Sequence, residues 1–146
     1  MSDEDQAVIH TVEAMTRAFH EGDLEGVMAR YEPSAVIVFE RGSPVRDREA
    51  QRQHFSQIFR LAPRFSYAAH EVVVCGDLAT HFAPWTMTAM TPDGQQIEDR
   101  GLSVAVLRKQ PDGAWLIVTD APHGDHLVEK PAPASRSGQA LLGCER

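Results

Sequence analysis

Two strands and the turn that joins them can be read in residues 97–121, IEDRGLSVAVLRKQPDGAWLIVTDA. Ile97 to Arg108 and Trp115 to Ala121 are rich in the β-branched and aromatic residues that favour strands. Gln110-Pro111-Asp112-Gly113 lies between them and predicts a turn, because proline presets one backbone angle and glycine supplies a positive φ. The stretch therefore predicts an antiparallel hairpin.

Two further strand candidates precede this hairpin, at Phe65 to Cys75 and at Leu78 to Met90. Gly76-Asp77 turns between them, and Thr91-Pro92-Asp93-Gly94 leads into the hairpin. Pro84 interrupts the second candidate, which predicts a bulge or an edge position at that point. Together the four strands predict an antiparallel meander long enough to twist and curl.

The N-terminal part of the chain predicts helices. Apolar residues recur at helical spacing over residues 8–19 and again over residues 24–31, with Ser2 and Asp5 compatible with a capping arrangement and Pro33 ending the second segment. Asp47 can cap a third helix, whose apolar face holds Phe55, Ile58 and Phe59.

Ala35 to Phe39 predicts a short strand, and Arg41 to Arg46 a loop. We therefore predict an α+β fold in which a curved antiparallel sheet carries three N-terminal helices on its concave face. The space between the helices and the sheet forms a cone-shaped pocket.

The length of 146 residues suits one domain with a hydrophobic core, which we place at residues 1–128. Residues 129–146 form a C-terminal tail rich in proline, alanine and serine. Its composition favours disorder, although Ala140-Leu141-Leu142 are apolar enough to dock on the domain.

Charge and composition exclude several classes of partner. The net charge is −7 and the chain contains two lysines, so binding to a phosphate backbone is not expected. No apolar run approaches the length of a membrane span, and the acidic N-terminus does not resemble a secretory signal, so we expect a cytoplasmic protein. Cys75 and Cys144 match no metal or redox spacing and are expected to be free thiols. No cofactor fingerprint is present, so neither a cofactor nor a metal is expected.

Several stretches resemble the nuclear transport factor 2-like superfamily, which includes ketosteroid isomerases and SnoaL-like polyketide cyclases. They are FHEGDL at 19–24, YEPSAVIVF at 31–39, GDLA at 76–79 and LRKQPDGAWLIV at 107–118. The resemblance covers roughly residues 4 to 126 and is closest to a small, mostly uncharacterised bacterial branch. It implies the cone-shaped fold and a homodimer, and its motifs specify turns and core rather than chemistry.

The resemblance also implies where an isomerase would hold its catalytic groups, and here those positions are apolar. The position of the tyrosine holds Met15, that of the general-base aspartate holds Phe39, and that of the third acid falls among Val104, Ala105 and Val106. Isomerisation needs a base to move the proton and donors to hold the enolate. We therefore expect no steroid isomerase activity.

Three polar residues are candidate catalytic groups. His81 shares a strand face with Trp85 and, as a neutral imidazole, could accept a proton, or it could simply fill the sheet face. Glu40 is the nearest carboxylate to the base position, but it could equally be a solvated acid opposite Arg41 or Arg46. Arg100 could hold a carboxylate or an enolate if it faces inward, or form a surface ion pair.

A second group of residues is predicted to bind the ligand. Strict alternation along the last strand points Thr119 and His123 toward the pocket and Asp120 away from it. His123-Gly124-Asp125-His126 is more simply a loop with solvated histidines than a metal site. The apolar and aromatic candidates serve either as core or as pocket lining, and they are Met15, Phe19, Phe55, Phe59 and Trp85.

These patterns predict a protein that binds a small, partly apolar molecule. One alternative is a cofactor-independent acid–base enzyme, such as an isomerase, cyclase, dehydratase or hydrolase, which would place at least two titratable groups at one cavity. The other is a dimerisation module without chemistry. Outward apolar positions such as Phe82 and Val104 could form the interface of the predicted homodimer.

Overall fold

The computed structural model describes residues 1–128, and the predicted tail at 129–146, with Cys144, lies outside the described residues. Helices and strands follow the predicted order. Their bounds are α1 Asp3–His20, α2 Leu24–Met28, β1 Tyr31–Glu40, β2 Ser43–Val45, α3 Arg48–Phe59, β3 Arg64–Tyr67, β4 Glu71–Cys75, β5 Leu78–Met90, β6 Gln96–Lys109 and β7 Trp115–Ala121, with a 3₁₀ helix at Gly124–Val128.

Both predicted helix caps are confirmed. The Ser2 hydroxyl accepts from the Asp5 amide at 3.1 Å, while the Asp5 carboxylate accepts from the Ser2 amide at 3.2 Å. Asp47 accepts from the Ala50 amide at 2.9 Å at the start of α3. Each cap satisfies backbone donors that the first helical turn leaves without a partner, which fixes where the helices begin.

The sheet has the strand order β2-β1-β7-β6-β5-β3, and β4 also pairs with β5. Neighbouring strands are antiparallel except for β1, which runs parallel to β7 with Tyr31 opposite Ile117. The predicted antiparallel meander therefore holds from β3 and β4 through β5 and β6 to β7. β1, which follows the first two helices, pairs with the other edge of β7 and runs parallel to it. The predicted loop at residues 41–46 contains the short strand β2, which pairs back onto β1.

Pro84 coincides with a break in the neighbouring strand, and not with a bulge in its own pairing with β6, which is continuous. The predicted strand at residues 65–75 is two strands, β3 and β4, separated by residues 68–70. The Pro84 carbonyl accepts from the Ala68 amide at 2.9 Å. In an antiparallel sheet the N–H and C=O groups of one residue point to the same neighbouring strand. The missing N–H of Pro84 therefore faces the break between β3 and β4, where no strand needs it.

An irregularity in β7 reverses the direction of its later side chains. Leu107 pairs with Ile117, whereas the preceding Val106 pairs with Thr119, so one extra residue is accommodated in β7. A bulge of this kind shifts the alternation by one position. As a result Trp115, Ile117 and Asp120 are buried, and Thr119 is exposed.

The helices pack on the concave face of the sheet and form the core with it. The largest fully buried apolar side chains come from α2, β1, β6 and β7, and they are Trp115, Met28, Ile37, Leu107 and Ile117. No helix of the described chain has both the length and the apolar character needed to cross a bilayer.

Candidate functional site

A cavity of about 330 Å³ lies between the helices and the concave face of the sheet. Its walls are mostly apolar and aromatic. Leu61, which is 38% exposed, and the exposed Asp99 mark its opening. Lining residues from the helices and β1 include Val12, Met15, Phe19, Phe39, Phe55 and Ile58.

Three neighbouring strands place one residue each in a row across the cavity wall. His81 in β5 pairs with Ala105 in β6, and Ala105 pairs in turn with Asp120 in β7. All three residues line the cavity. Directly opposed residues have Cβ atoms about 5 Å apart, and alanine has no side chain beyond Cβ, so the space above Ala105 separates two titratable groups.

Asp120 is a buried carboxyl group within this apolar cavity. It is 9% exposed, and the Tyr31 hydroxyl donates to its Oδ2 at 2.6 Å. Burial raises the pKa of Asp120, and the Tyr31 hydrogen bond opposes that rise. The protonated and ionised forms of this carboxyl are thereby brought closer in free energy near neutral pH than those of an exposed aspartate.

Two tyrosines supply neutral hydroxyl groups to the cavity wall. Burial, and then the Asp120 charge, raise the pKa of Tyr31 well above its usual value. Burial raises the pKa of Tyr67 to about 12, and its hydroxyl lies 2.9 Å from the Thr16 hydroxyl. Both phenols therefore stay protonated at neutral pH, which leaves them able to donate hydrogen bonds.

His81 is fully buried and contacts a second histidine. Its Nε2 lies 2.8 Å from Nδ1 of His70, and its Nδ1 has no hydrogen-bond partner among the described residues. Burial, with a smaller contribution from His70, lowers the pKa of His81 to about 4. The imidazole is neutral near pH 7, which leaves one ring nitrogen able to accept a proton.

Most of the residues predicted to bind the ligand line this cavity, namely Met15, Phe19, Phe55, Trp85 and His123. Phe59 is not among the lining residues. Its ring packs edge-on against Phe19, with 4.9 Å between the ring centroids. Phe59 therefore contacts a residue of the cavity wall without lining the cavity itself.

Two of the predicted catalytic residues lie outside the cavity lining. Glu40 is exposed, and the preceding Phe39 faces the cavity, as strand alternation requires. Arg100 is also exposed, and the preceding residue, Asp99, lines the cavity instead. A Cβ on Gly101 would lie 2.8 Å from the Trp85 ring, so Gly101 packs under Trp85, and the residue two positions before it shares that face.

The predicted inward orientation of Thr119 is wrong. The bulge in β7 turns Thr119 outward and Asp120 into the cavity. Trp85 donates from its indole N–H to the Pro122 carbonyl at 2.7 Å, which anchors the segment beyond β7 so that His123 lies over the cavity.

Asp120, Tyr31 and His70 are among the polar residues of the site that the sequence patterns did not single out. Helical spacing over residues 24–31 predicts Tyr31 on a helix, but Tyr31 begins β1 and is 2% exposed. His70 lies in the break opposite Pro84, and Pro84 was a readable signal for that break.

No group of three or more histidine, cysteine, aspartate or glutamate side chains within residues 1–128 is arranged to hold a metal ion. Cys75 is an exposed free thiol outside the cavity lining. The polar groups that line the cavity are carboxyl, imidazole, phenol and aliphatic hydroxyl groups.

The fold and the cavity define a class of protein in which a curved sheet and three helices enclose a largely apolar pocket with a few buried polar groups. A family profile for the SnoaL-like domain matches residues 12–116, so the chain belongs to the SnoaL-like domain family. A comparison with curated proteins found no match.

Solved structures share this fold at low sequence identity. A protein from the nuclear transport factor 2-like family of Streptomyces avermitilis has a TM-score of 0.72 at 18% identity, covering 82% of this chain and 95% of that one. A ketosteroid isomerase-like protein from Erwinia carotovora atroseptica has the same TM-score of 0.72, at 18% identity and with 82% and 95% coverage. A protein of unknown function from Mycobacterium tuberculosis has a TM-score of 0.70 at 22% identity, covering 79% and 72%. At these identities the likeness establishes the fold and no activity.

Proposed function

We propose that the cavity binds a small, flat and mostly apolar molecule with a carbonyl group, and that Asp120 and His81 move a proton on it. The observation that supports this most strongly is the buried carboxyl of Asp120, whose Oδ2 lies 2.6 Å from the Tyr31 hydroxyl oxygen in a mostly apolar cavity. A carboxyl group buried in this way costs stability, and groups of this kind are concentrated at functional sites.

The walls suit a ring-shaped ligand because aromatic side chains surround the cavity on several sides. The Phe19 ring packs edge-on against Phe65, and Phe39 against Phe55, with centroids 5.4 and 5.0 Å apart. Pockets of this composition bind apolar ligands and fix their orientation with a few polar groups. Ser103 and Tyr67 also line the cavity as neutral hydroxyl donors for a carbonyl oxygen, and Tyr67 would exchange its present hydrogen bond with Thr16 for one to the ligand.

In the proposed reaction, the Asp120 carboxylate takes a proton from the carbon next to the carbonyl group. The electron pair of that C–H bond forms a carbon–carbon double bond, and the π pair of the carbonyl group moves to its oxygen. The enolate oxygen then accepts hydrogen bonds from neutral donors. Return of a proton to a different carbon, or to the same carbon, completes the reaction. His81, across Ala105 from Asp120, is the second titratable group within reach of such a ligand.

The test uses a panel of bicyclic ketones that carry hydrogens next to the carbonyl, with 2-tetralone as the first probe. Binding is measured as a rise in the melting temperature, and proton transfer as deuterium incorporation from D₂O followed by NMR. Catalysed exchange above the buffer rate supports the proposal. Binding without exchange would make the protein a non-catalytic binder, and a panel that never binds would contradict the ligand class.

We predict that His81→Gln slows this exchange by about 10²-fold or more while the protein stays folded, because glutamine cannot accept and release a proton. Ketone binding should change much less than the exchange rate. His10→Gln, on the exposed face of α1, is the matched control. Full exchange activity in folded His81→Gln would eliminate His81 as a proton-transfer group.

We further propose that the outward face of the sheet forms a homodimer interface. Phe82 and Val104 lie opposite each other on this face, and on the same face Val73 and Leu78 are 55% and 41% exposed. An exposed apolar patch on a broad sheet is typical of an interaction surface.

Sedimentation at micromolar concentration is therefore expected to give a dimer. Phe82→Glu should shift the protein to monomer, because a carboxylate would be desolvated in the interface. Gln57→Glu on the exposed face of α3 adds the same charge elsewhere and should leave the dimer intact. A monomer for the unmodified chain would refute the interface.

A further inference from the structure

We propose that His81 and His70 form a proton path that links the cavity wall to solvent beside Glu13. This inference rests on the proposed acid–base function and gives it an exit for the proton that does not pass through the cavity opening. The path runs between α1 and strands β4 and β5, away from the rim marked by Leu61 and Asp99.

The geometry of the two rings supplies the first half of the path. His81 is fully buried and lines the cavity, and its Nε2 lies 2.8 Å from Nδ1 of His70. That separation is a hydrogen bond in which one nitrogen donates and the other accepts. Because Nδ1 of His81 has no partner among the described residues, the arrangement that leaves no buried donor unpaired places the His81 proton on Nε2. Nδ1 then keeps a free lone pair.

The second half of the path reaches the surface at His70. The His70 side chain is 18% exposed, and its Nε2 lies 3.9 Å from a carboxylate oxygen of Glu13, whose side chain is 53% exposed. This distance is too long for a direct hydrogen bond and leaves the exit open to solvent, beside a negative charge that favours an N–H on Nε2 of His70. The hydrogen bonds along the path therefore all point the same way: His81 donates to His70, and His70 directs its own N–H to the surface.

Each ring can gain a proton on one nitrogen and lose one from the other. When Nδ1 of His81 accepts a proton from a ligand, its Nε2 proton passes to Nδ1 of His70, and the Nε2 proton of His70 leaves to water or to Glu13. The ligand has lost one proton, solvent has gained one, and both imidazoles end neutral in the opposite tautomer. Reversal of the same steps delivers a proton to the ligand and restores the starting tautomers.

Such a path matters because a bound ligand fills the cavity and blocks its opening to water. An Asp120 carboxyl that has taken the ligand proton inside a closed cavity would return the same proton to the ligand, whereas His81 can deliver a proton from solvent by the reverse of the steps above. A relay through the wall allows exchange while the ligand is still bound. Tyr67, whose ring centroid lies 5.3 Å from that of His70, packs beside the path.

The first test needs no substrate. In the full chain with ¹⁵N-labelled histidine, NMR measures how fast the His81 ring proton exchanges with water. His70→Asn keeps a polar partner for His81 but cannot pass a proton between two atoms, so exchange should slow about tenfold or more and then depend on local opening. His10→Asn is the control for an exposed histidine of α1. An unchanged rate in folded His70→Asn would overturn the path.

The second test uses the ketone exchange assay on His70→Ala, with His70→Asn as the more conservative variant. Ketone binding should stay within about threefold of the unmodified chain, whereas deuterium incorporation should fall about tenfold or more and recover when free imidazole is added. Loss without recovery would indicate a structural role and contradict the relay. If the unmodified chain exchanges no ketone, the proposed function fails, while the water-exchange measurement still decides the path separately.

Discussion

Replacement of Asp120 by asparagine is expected to reduce catalysed proton exchange about 10²- to 10⁴-fold, the usual contribution of a positioned acid–base group. The reason is that the asparagine amide oxygen, placed where Oδ2 of Asp120 lies, can still accept the Tyr31 hydrogen bond, whereas the amide cannot take up a proton near neutral pH. The shape of the cavity wall is preserved, so ketone binding should change much less than the exchange rate.

The same substitution should leave the protein equally or more stable at neutral pH. Burial raises the folded-state pKa of Asp120 above its unfolded value. The contribution of such a group to the free energy of unfolding is fully present below the unfolded pKa and is lost as the pH rises through the folded pKa. As the pH rises above the unfolded pKa the unmodified chain loses that contribution progressively, whereas asparagine does not ionise and loses nothing. Thermal unfolding of both proteins at pH 7 and at acidic pH checks the sign.

Asp99→Asn is the matched control, because Asp99 lines the opening of the same cavity but is exposed. It removes one negative charge without removing the buried carboxyl, so exchange should remain close to that of the unmodified chain. An equal loss of exchange in both variants would mean that the net charge at the cavity matters and that Asp120 has no specific role.

The sequence predicted the fold well because turns and alternation carry its main signals. Each Pro-Asp-Gly turn and each helix cap acts locally, so these boundaries can be read without the rest of the chain. Phe39 and Glu40 illustrate the same point in the site: once Phe39 is assigned to the concave face, alternation sends Glu40 outward.

The polar residues of the site were harder to predict, because two of them depend on interruptions of regular strand pairing. Any of the strand-forming residues from Leu116 to Thr119 could accommodate the extra residue of β7, and the pairing with β6 selects the position. A prediction that assumes strict alternation therefore assigns Thr119 and Asp120 to the wrong faces of the sheet. The outward orientation of Arg100 had a local signal in the sequence. A glycine within a strand often marks a place where another group approaches the backbone closely, and Gly101 packs under the Trp85 ring.

Ala105→Phe is the second substitution with a large expected effect, because it fills the space between the two proposed proton-transfer groups. Ala105 is 3% exposed, lines the cavity, and pairs with both His81 and Asp120. A phenyl ring there would displace about 100 Å² of apolar ligand contact, which at about 25 cal/mol per Å² corresponds to about 2.5 kcal/mol, or nearly 10²-fold in Kd.

Stability should respond to Ala105→Phe differently from ligand binding. The new ring enters a cavity of about 330 Å³, so the melting temperature should stay near that of the unmodified chain or rise. Val106→Phe places the same ring on the outward face of β6 and should leave ketone binding unchanged, because alternation directs residue 106 away from the cavity. If Ala105→Phe binds the ketone as tightly as the unmodified chain, the ligand does not lie between His81 and Asp120. The proposed proton transfer would then lose its geometric basis. Within residues 1–128, the pairing of β5, β6 and β7 places no other buried carboxyl and buried imidazole on the two sides of one alanine.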